Sequence, residues 1–462
     1  MTGRALQRSE HKALILLGDL AALTVAVLIS VWLWSITAGF PFSAAFLSAN
    51  GLWFLAVPAW ALALAPAYGV RITLSVGETF VRLLQAAALL LSAYLVLYFY
   101  SPRYELPRLM ALYVFWEGFL LVLAWRLVCA WFFGKDLFAR RVLIVGGAEP
   151  GLLALRLLRE FDFRNSLVVG LLDSSGVETE TSVEGIPVLR KTASLLECAR
   201  ELDVNEIVLA HATAQTELFP ALVECQELGI EILTMPQVYE DLLHRVPVRH
   251  LESSWLFTSF VESVRSKDAS LVAKRAVDIV GAAVGLVVLL VAAPFVMLAV
   301  WLDSGRPVFF RQVRMGRAGR GFVMHKFRTM VQDAERETGP RWSTAGDPRI
   351  TRVGRLLRKM RLDELPNLVN VLRGEMSLVG PRPERPELVD VLARDIPFYR
   401  TRLLVRPGLT GWAQINHPYG DSVADALQKL EYDLYYLKHR SMMFDLRILL
   451  RTPATLLKLE GR

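Results

Sequence analysis

One apolar stretch with basic residues on both sides constrains this chain most. Val277–Leu302 carries a single ionisable side chain, Asp278, and contains Pro294. Arg265, Lys267, Lys274 and Arg275 precede it. Arg306, Arg311, Arg314, Arg317, Arg320, Lys326 and Arg328 follow, with no acid among them. The stretch is long enough to cross a bilayer, which takes about 20 residues as a helix. Positive flanks favour the cytoplasmic side, and a straight span would put one cluster outside. Pro294 removes a backbone donor and clashes with the preceding turn. A bent helix can then enter one leaflet and return to the same face, provided that its freed backbone groups are covered. A re-entrant helix over 277–302 is the expectation, with a full fifth span as the alternative.

Four further apolar segments come earlier, at Ala13–Ile36, Gly51–Tyr68, Phe80–Tyr100 and Met110–Phe133. Each is near spanning length, so residues 1–138 read as a four-helix transmembrane domain. The 53% hydrophobic content is concentrated in these blocks, which argues for membrane segments rather than an oversized core. Arg4, Arg8 and Lys12 precede the first segment, and Lys135, Arg140 and Arg141 follow the fourth. They outvote Arg103 and Arg108 and put both ends of the bundle in the cytoplasm. The net charge of +7 thus has a membrane explanation, and nucleic-acid binding is not expected. Asp19, within the first segment, should face the bundle interior or lie near the interface. Cys129, Cys198 and Cys225 have neither paired nor metal-type spacing, so no disulfide framework is expected. The first apolar segment lacks a cleavage pattern and should stay in the mature protein.

Residues 139–262 alternate buried strands with helical patterns. The run Arg141-Val142-Leu143-Ile144-Val145-Gly146-Gly147 reads as a strand and a glycine turn. Leu167–Leu172, Glu206–Ala210 and Glu231–Leu233 are further strands. This alternation predicts a Rossmann-like α/β domain with a parallel sheet. Asp173 ends the second strand, where a ribose-binding acid would sit. The glycine spacing departs from G-x-G-x-x-G, so a bound dinucleotide cofactor is not expected. The chain has no Tyr-x-x-x-Lys, the acid–base pair of short-chain dehydrogenases.

Residues 263–462 hold the chemistry. Val308–Arg314 and Gly321–Arg328 read as two strands around a glycine-rich turn, and Arg355–Arg361 and Leu365–Leu372 as helices. Between the helices lies Arg361-Leu362-Asp363-Glu364-Leu365-Pro366-Asn367. Proline is favourable near a helix start, and the positive end of a helix would keep Asp363 ionised. An ionised carboxylate can attack phosphorus. Glu364 can hold Mg²⁺, a hard ion that takes carboxylate and phosphate oxygens together, which offsets the charge of a diphosphate. Gly380-Pro381-Arg382-Pro383 is a stiff turn presenting one guanidinium, suited to phosphate. Arg406-Pro407-Gly408-Leu409-Thr410-Gly411-Trp412-Ala413-Gln414 is a second turn-rich stretch. Glu431-Tyr432-Asp433-Leu434-Tyr435-Tyr436 lies on a helix. Met442–Leu459 would lie in the membrane interface or pack on the domain.

In this order, these elements closely resemble the bacterial sugar transferase family of monotopic phosphoglycosyl transferases, or polyprenyl-phosphate hexose-1-phosphate transferases. The resemblance rests on Lys274-Arg275-x-x-Asp278, the proline-containing apolar segment, Lys326-Phe327-Arg328-Thr329-Met330, Leu362-Asp363-Glu364-Leu365-Pro366 and Gly380-Pro381-Arg382-Pro383. Arg406 to Gln414 and Asp433-x-Tyr435-Tyr436 complete it. The four spans and the Rossmann-like region resemble the large, exopolysaccharide-type members. The resemblance implies Asp363 as nucleophile and Glu364 as its magnesium-associated neighbour. It puts Lys326, Arg358, Arg382, Glu431 and Asp433 near the phosphate and nucleotide. The family commonly has Ser-Pro where this chain has Ala293-Pro294.

The implied reaction moves a sugar 1-phosphate from a UDP-sugar to undecaprenyl or another polyprenyl phosphate, with loss of UMP. The implied location is the bacterial inner membrane with the catalytic domain on the cytoplasmic face. A homo-oligomer is compatible with this reading. Two other readings stay open: a nucleotide-sugar-modifying enzyme working through the Rossmann-like region, and a non-enzymatic polysaccharide assembly subunit.

Overall fold

A computed structural model describes residues 8–65, 68, 76–101, 108–133, 140–146, 148–162, 166–172, 182–189, 194–211, 218–251, 268–332, 334, 347–417, 420 and 422–457. Contacts divide the chain into two units, residues 1–235 and 236–462.

In the first unit, three of the four expected N-terminal spans are long helices: α1 (Arg8–Ala38), α4 (Val76–Tyr100) and α5 (Arg108–Phe133). Each contains a window long and apolar enough to cross a membrane. The second expected span differs. After the short helix α2 (Ala44–Ala49), a 3-10 turn at Gly51–Leu55 leads into α3 (Ala56–Leu64). At about 1.5–2 Å per residue these two pieces fall short of a 30 Å hydrocarbon core. The expected four-helix bundle is therefore three long helices and a shorter apolar one among the described residues. Leu23, Trp60, Leu64, Leu83 and Val122 form a buried cluster that joins all four.

Asp19 faces the interior, as expected for an ionisable group in an apolar helix. Its partner was not foreseen. Arg126 of α5 reaches Asp19 Oδ2 at 2.7 Å, and neither side chain is exposed. The helices come close beside the pair. A Cβ at Gly18 would lie 2.0 Å from Trp125 Cε2, so only glycine leaves room for that indole.

The sheet that follows has the order β3-β4-β2-β1-β5-β6: β1 (Arg140–Val145), β2 (Ser166–Leu172), β3 (Ser182–Val183), β4 (Ile186–Leu189), β5 (Glu206–Leu209) and β6 (Glu231–Thr234). All neighbours are parallel except the β3–β4 pair, which was not foreseen. Helices α6 (Ala148–Phe161), α7 (Leu195–Glu201) and α8 (Phe219–Glu227) connect the strands. The order reverses beside β1, the switch point of a doubly wound sheet. Gly146 leaves β1 at φ +112°, and a Cβ at Gly151 would lie 2.3 Å from Gly146 O. The backbone conformation at the first and the close approach at the second both favour glycine. Arg140 is buried between Glu206 and Asp162, tying β1 to β5. Gly147 and Asp173 lie outside the described residues.

The second unit begins within α9 (Met235–Leu243). Its longest element, α10 (Asp268–Ser304), runs on through Pro294. The β7 (Phe309–Met315) and β8 (Gly321–Phe327) hairpin follows, then α11 (Arg352–Lys359), a 3-10 helix at Leu362–Asn367 and α12 (Leu368–Arg373). One strand runs into the first turn motif and another lies inside the second, and the sequence revealed neither. β9 (Ser377–Val379) pairs parallel with β10 (Gly408–Thr410). Here backbone packs on backbone: a Cβ at Gly408 would lie 2.1 Å from Gly380 N. Helices α13 (Pro386–Asp395), α14 (Trp412–Asn416), α15 (Val423–His439) and α16 (Met442–Leu457) complete the unit. Phe444 and Ile448 of α16 enter the core with Trp412, Leu430 and Leu434, so α16 packs on the domain. Residues 236–251, expected with the middle region, lie in this unit.

The buried pair in α1 and α5 generates a test. Asp19→Ala should cost about 3–5 kcal/mol, the usual penalty for stranding one member of a buried ion pair. Asp19→Leu combined with Arg126→Met should recover much of that loss. Thermal melts in detergent measure both.

Candidate active site

The site is built where the end of β8 meets the 3-10 helix. His325 N donates to Asn367 Oδ1 at 2.9 Å, and Asn370 Nδ2 donates to Val323 O at 2.8 Å. These amides fix the Asp-Glu segment against the strand. Arg361 enters it at φ +56°, a left-handed turn that ends the run from α11. Phe327 and Leu357 are buried beneath, against Leu289 and Val300 of α10.

Asp363 and Glu364 are 6% and 5% exposed. Three cations surround Glu364. Lys326 Nζ lies 2.7 Å from Oε1, Arg382 NH2 2.6 Å from Oε1 and Arg361 NH1 3.7 Å from Oε2. Arg382 is bidentate, with NH1 donating to Oε2 at 3.2 Å. Burial alone would raise the Glu364 carboxyl, but Arg382 and Lys326 hold it well below the usual range. Asp363 is different. Its Oδ1 is buried with no hydrogen-bond partner among the described residues. Burial, then the charge of Glu364, push it up to about 6 against the pull of Lys326, Arg358 and Arg382.

The helix end does less for Asp363 than expected. The first turn is that of a six-residue 3-10 helix, and desolvation outweighs its help. At about 6, the carboxyl still titrates below neutral pH. The outcome is a buried carboxylate oxygen that is charged and uncommitted, beside a second carboxylate neutralised in place.

Of the other expected site residues, Lys326 and Arg382 touch Glu364 directly. Arg358 donates from Nε to Thr329 Oγ1 at 2.9 Å and lies within electrostatic reach of Asp363. Asp433 sits one link away. Arg402 NH2 pairs with Asp433 Oδ2 at 2.8 Å and donates to the Arg382 backbone carbonyl at 3.0 Å. Asp433 thereby braces the turn that carries Arg382. Glu431, two residues earlier on α15, faces elsewhere, because positions i and i+2 of a helix do not share a face. It accepts from Tyr239 Oη at 3.1 Å and lies 3.6 Å from Arg245 NH1. Both carboxylates are buried.

Sequence reasoning missed Arg402, Tyr239 and Arg245. No local pattern marks them, since each is defined by an acid far along the chain. Asn367 was inside the quoted motif, and its role became visible only with the hairpin in place. Among the described residues, no three His, Cys, Asp or Glu side chains gather as a metal group.

Comparison with known proteins bears on this geometry. Residues 269–459 match the family described as bacterial sugar transferase, and residues 63–236 match one described as CoA-binding domain. An Aeromonas hydrophila protein named UDP-N-acetylgalactosamine-undecaprenyl-phosphate N-acetylgalactosaminephosphotransferase is 38% identical over 236 residues, 51% of this chain and 54% of that protein. A Komagataeibacter xylinus undecaprenyl-phosphate glucose phosphotransferase is 33% identical over 322 residues, 68% of this chain and 58% of that protein. The chain thus spans little more than half the length of these two relatives. A Caulobacter vibrioides UDP-glucose:undecaprenyl-phosphate glucose-1-phosphate transferase is 44% identical over 192 residues, 41% of this chain and 71% of that protein. With Asp363, Glu364, Lys326 and Arg382 gathered within the matched segment, the chain belongs to the bacterial sugar transferase family.

Proposed function

We propose that this protein transfers a sugar 1-phosphate from a UDP-sugar to polyprenyl phosphate, releasing UMP and leaving a polyprenyl-diphospho-sugar, an early membrane step of glycan assembly. The observation that carries this reading is the uncommitted, buried Asp363 Oδ1 beside a neutralised Glu364. A nucleophile needs a free lone pair, and a diphosphate needs cations within reach. Both needs are met where β8, the 3-10 helix and the Gly380–Pro383 turn come together.

Asp363 Oδ1 attacks the phosphorus that bears the sugar. The bond from that phosphorus to the oxygen of UMP breaks, and UMP leaves with the electron pair. The aspartyl acyl-phosphate keeps the sugar C1–O bond intact. A phosphate oxygen of the lipid then attacks the same phosphorus, and the Asp363 carboxylate departs. Lys326, Arg358 and Arg382 offset the negative charge of each anionic substrate in turn. Two displacements spare the site from holding both anions at once.

Magnesium suits this donor set. The ion needs only one or two carboxylates when phosphate oxygens and water complete its shell. Glu364 would hold it, through an oxygen now bonded to Lys326 or Arg382, beside the orphaned Asp363 Oδ1. When bound, the ion would supply positive charge against the diphosphate.

The reading also puts α10 in one leaflet, entering and leaving on the cytoplasmic face of the inner membrane. What supports this is that both ends of the helix are tied to the same unit. Near its start, Lys274 Nζ meets Asp445 Oδ2 at 2.6 Å, and Arg275 donates to Val371 O and Leu372 O at 2.6 and 2.8 Å. At its end, Asp303 Oδ2 accepts from Val353 N at 2.9 Å, and Arg328 donates to Ser304 O and Gly305 O. Between these ties, Val280, Val284, Val287, Val291, Phe295 and Leu298 form an exposed apolar stripe suited to lipid. Pro294 does not end the helix.

Three outcomes are expected. Asp363→Asn should abolish UMP release, by at least about 10²–10⁴-fold, whereas Glu364→Gln should lower it mainly by raising the magnesium requirement. A magnesium titration of UMP release separates the two, and near-normal turnover by the Asn variant would exclude Asp363 as nucleophile. Wild-type activity should fall as pH drops through about 6, where Asp363 gains its proton. Finally, cysteines placed at Ser270 and Ser304 should both escape an impermeant thiol reagent in intact cells. The native cysteines are buried and add little background. Labelling at one position alone would mean a true span.

A further inference from the structure

Arg361 stands in a turn that suits another residue. Its φ of +56° lies in the left-handed region, which glycine or asparagine enters more easily. The turn itself gains nothing from arginine. A residue held in such a conformation beside reactive groups points to a use for its side chain.

That use is not the neutralisation of Glu364, which is already met. Lys326 and Arg382 lie 2.7 and 2.6 Å from Oε1, whereas Arg361 NH1 lies 3.7 Å from Oε2, longer than a hydrogen bond. Arg361 also comes after Arg382 and Lys326 in the pull on that carboxyl. Its side chain is 24% exposed, so a ligand can reach it.

The surroundings narrow the ligand. Arg361 follows α11, whose Leu356 and Met360 are 57% and 52% exposed. Arg352 and Arg355 of the same helix are exposed as well. Val353 N donates to Asp303 Oδ2 near the end of α10, and the Val353 side chain packs beside Leu289 and Val300 of α10. On the other side of Arg361, Leu362 packs on that same cluster. Arg361 thus lies between exposed apolar residues, next to the long apolar helix, and the Asp-Glu pair. An anion with an apolar tail fits this edge, with its tail over Leu356 and Met360 and its charge at the guanidinium. Of the two substrates in the proposed reaction, only the lipid has such a tail.

We infer that Arg361 receives the phosphate of the polyprenyl phosphate acceptor, with the first part of the lipid chain lying over Leu356 and Met360. The inference rests on the proposed reaction.

The test measures initial rates of UMP release by the full-length protein in mixed micelles, varying polyprenyl phosphate and a UDP-sugar in turn. With two displacements, kcat/KM for each substrate reports its own step. Arg361→Asn removes the charge but suits the left-handed turn, so it should melt no lower than the wild type. Its kcat/KM for polyprenyl phosphate should fall roughly tenfold or more, as for a lost hydrogen bond to a charged group, while that for the UDP-sugar moves less than about twofold. Arg361→Lys should recover part of the loss. Leu356→Gln should lower the lipid value alone. If Arg361→Asn melts lower, Arg361→Gly carries the same test. An unchanged lipid kcat/KM in a folded variant overturns the acceptor role. An equal fall in both values overturns it too and assigns Arg361 to Glu364 instead. Normal UMP release by Asp363→Asn would count against the reaction itself, a result distinct from either.

Discussion

The catalytic unit depends on the compensation of one buried charge. Glu364 could not be an ion at 5% exposure without Lys326 and Arg382 at hydrogen-bond distance. Removing either partner would strand a charge in a low-dielectric site. The three residues come from a strand, a 3-10 helix and a turn that are far apart in the chain. Their meeting therefore demands that the β7–β8 hairpin, the Asp-Glu segment and the Gly380–Pro383 turn all be in register. Asp363 benefits indirectly. With Glu364 occupying the cations, its own Oδ1 stays unbonded, and burial tunes it to a range where it is charged and still basic.

The turn carrying Arg382 is held with unusual redundancy. Gly380 N donates to Thr410 O and Gly408 N to Pro381 O, at 2.9 and 2.8 Å. Side chains cannot enter between the two strands, which is why glycine recurs in both motifs. Arg402, neutralised by Asp433, grips the carbonyl of Arg382 itself. Arg314 adds a bond to Pro383 O at 3.3 Å. Such second contacts hold the Arg382 guanidinium in place against Glu364, as the proposed phosphate contact would require.

Membrane attachment and chemistry share one scaffold. The face of α10 that carries Ala282, Leu289 and Val300 is buried against the hairpin, α12 and the base of the Asp-Glu segment. Its opposite face is apolar and open. On the proposed function, a helix with lipid on one face and the support of the Asp-Glu segment on the other would fix the depth at which Asp363 works. Ala293, where the family commonly has serine, offers no hydroxyl to the backbone near Pro294, and the helix nonetheless continues.

Much of this was legible in the chain itself. Long apolar runs, strand periodicity around residues 141–234 and the ordered motifs of the last third are local patterns. Local physics reads them: helix length against bilayer thickness, alternation of burial, proline and glycine chemistry. Those patterns were enough to nominate Asp363, Glu364 and Arg382, and the family resemblance added Lys326. What they could not convey was pairing across the chain. Arg126 opposite Asp19, Arg402 behind Asp433, and Tyr239 with Arg245 on Glu431 join residues between 31 and 192 positions apart. The short strand β10 hid inside turn-like sequence and β9 ran directly into another, because Gly380 and Gly408 were needed for backbone contact, not for bends. The charge state of Asp363 was likewise settled by burial and neighbouring ions, which exist only once the tertiary structure excludes water.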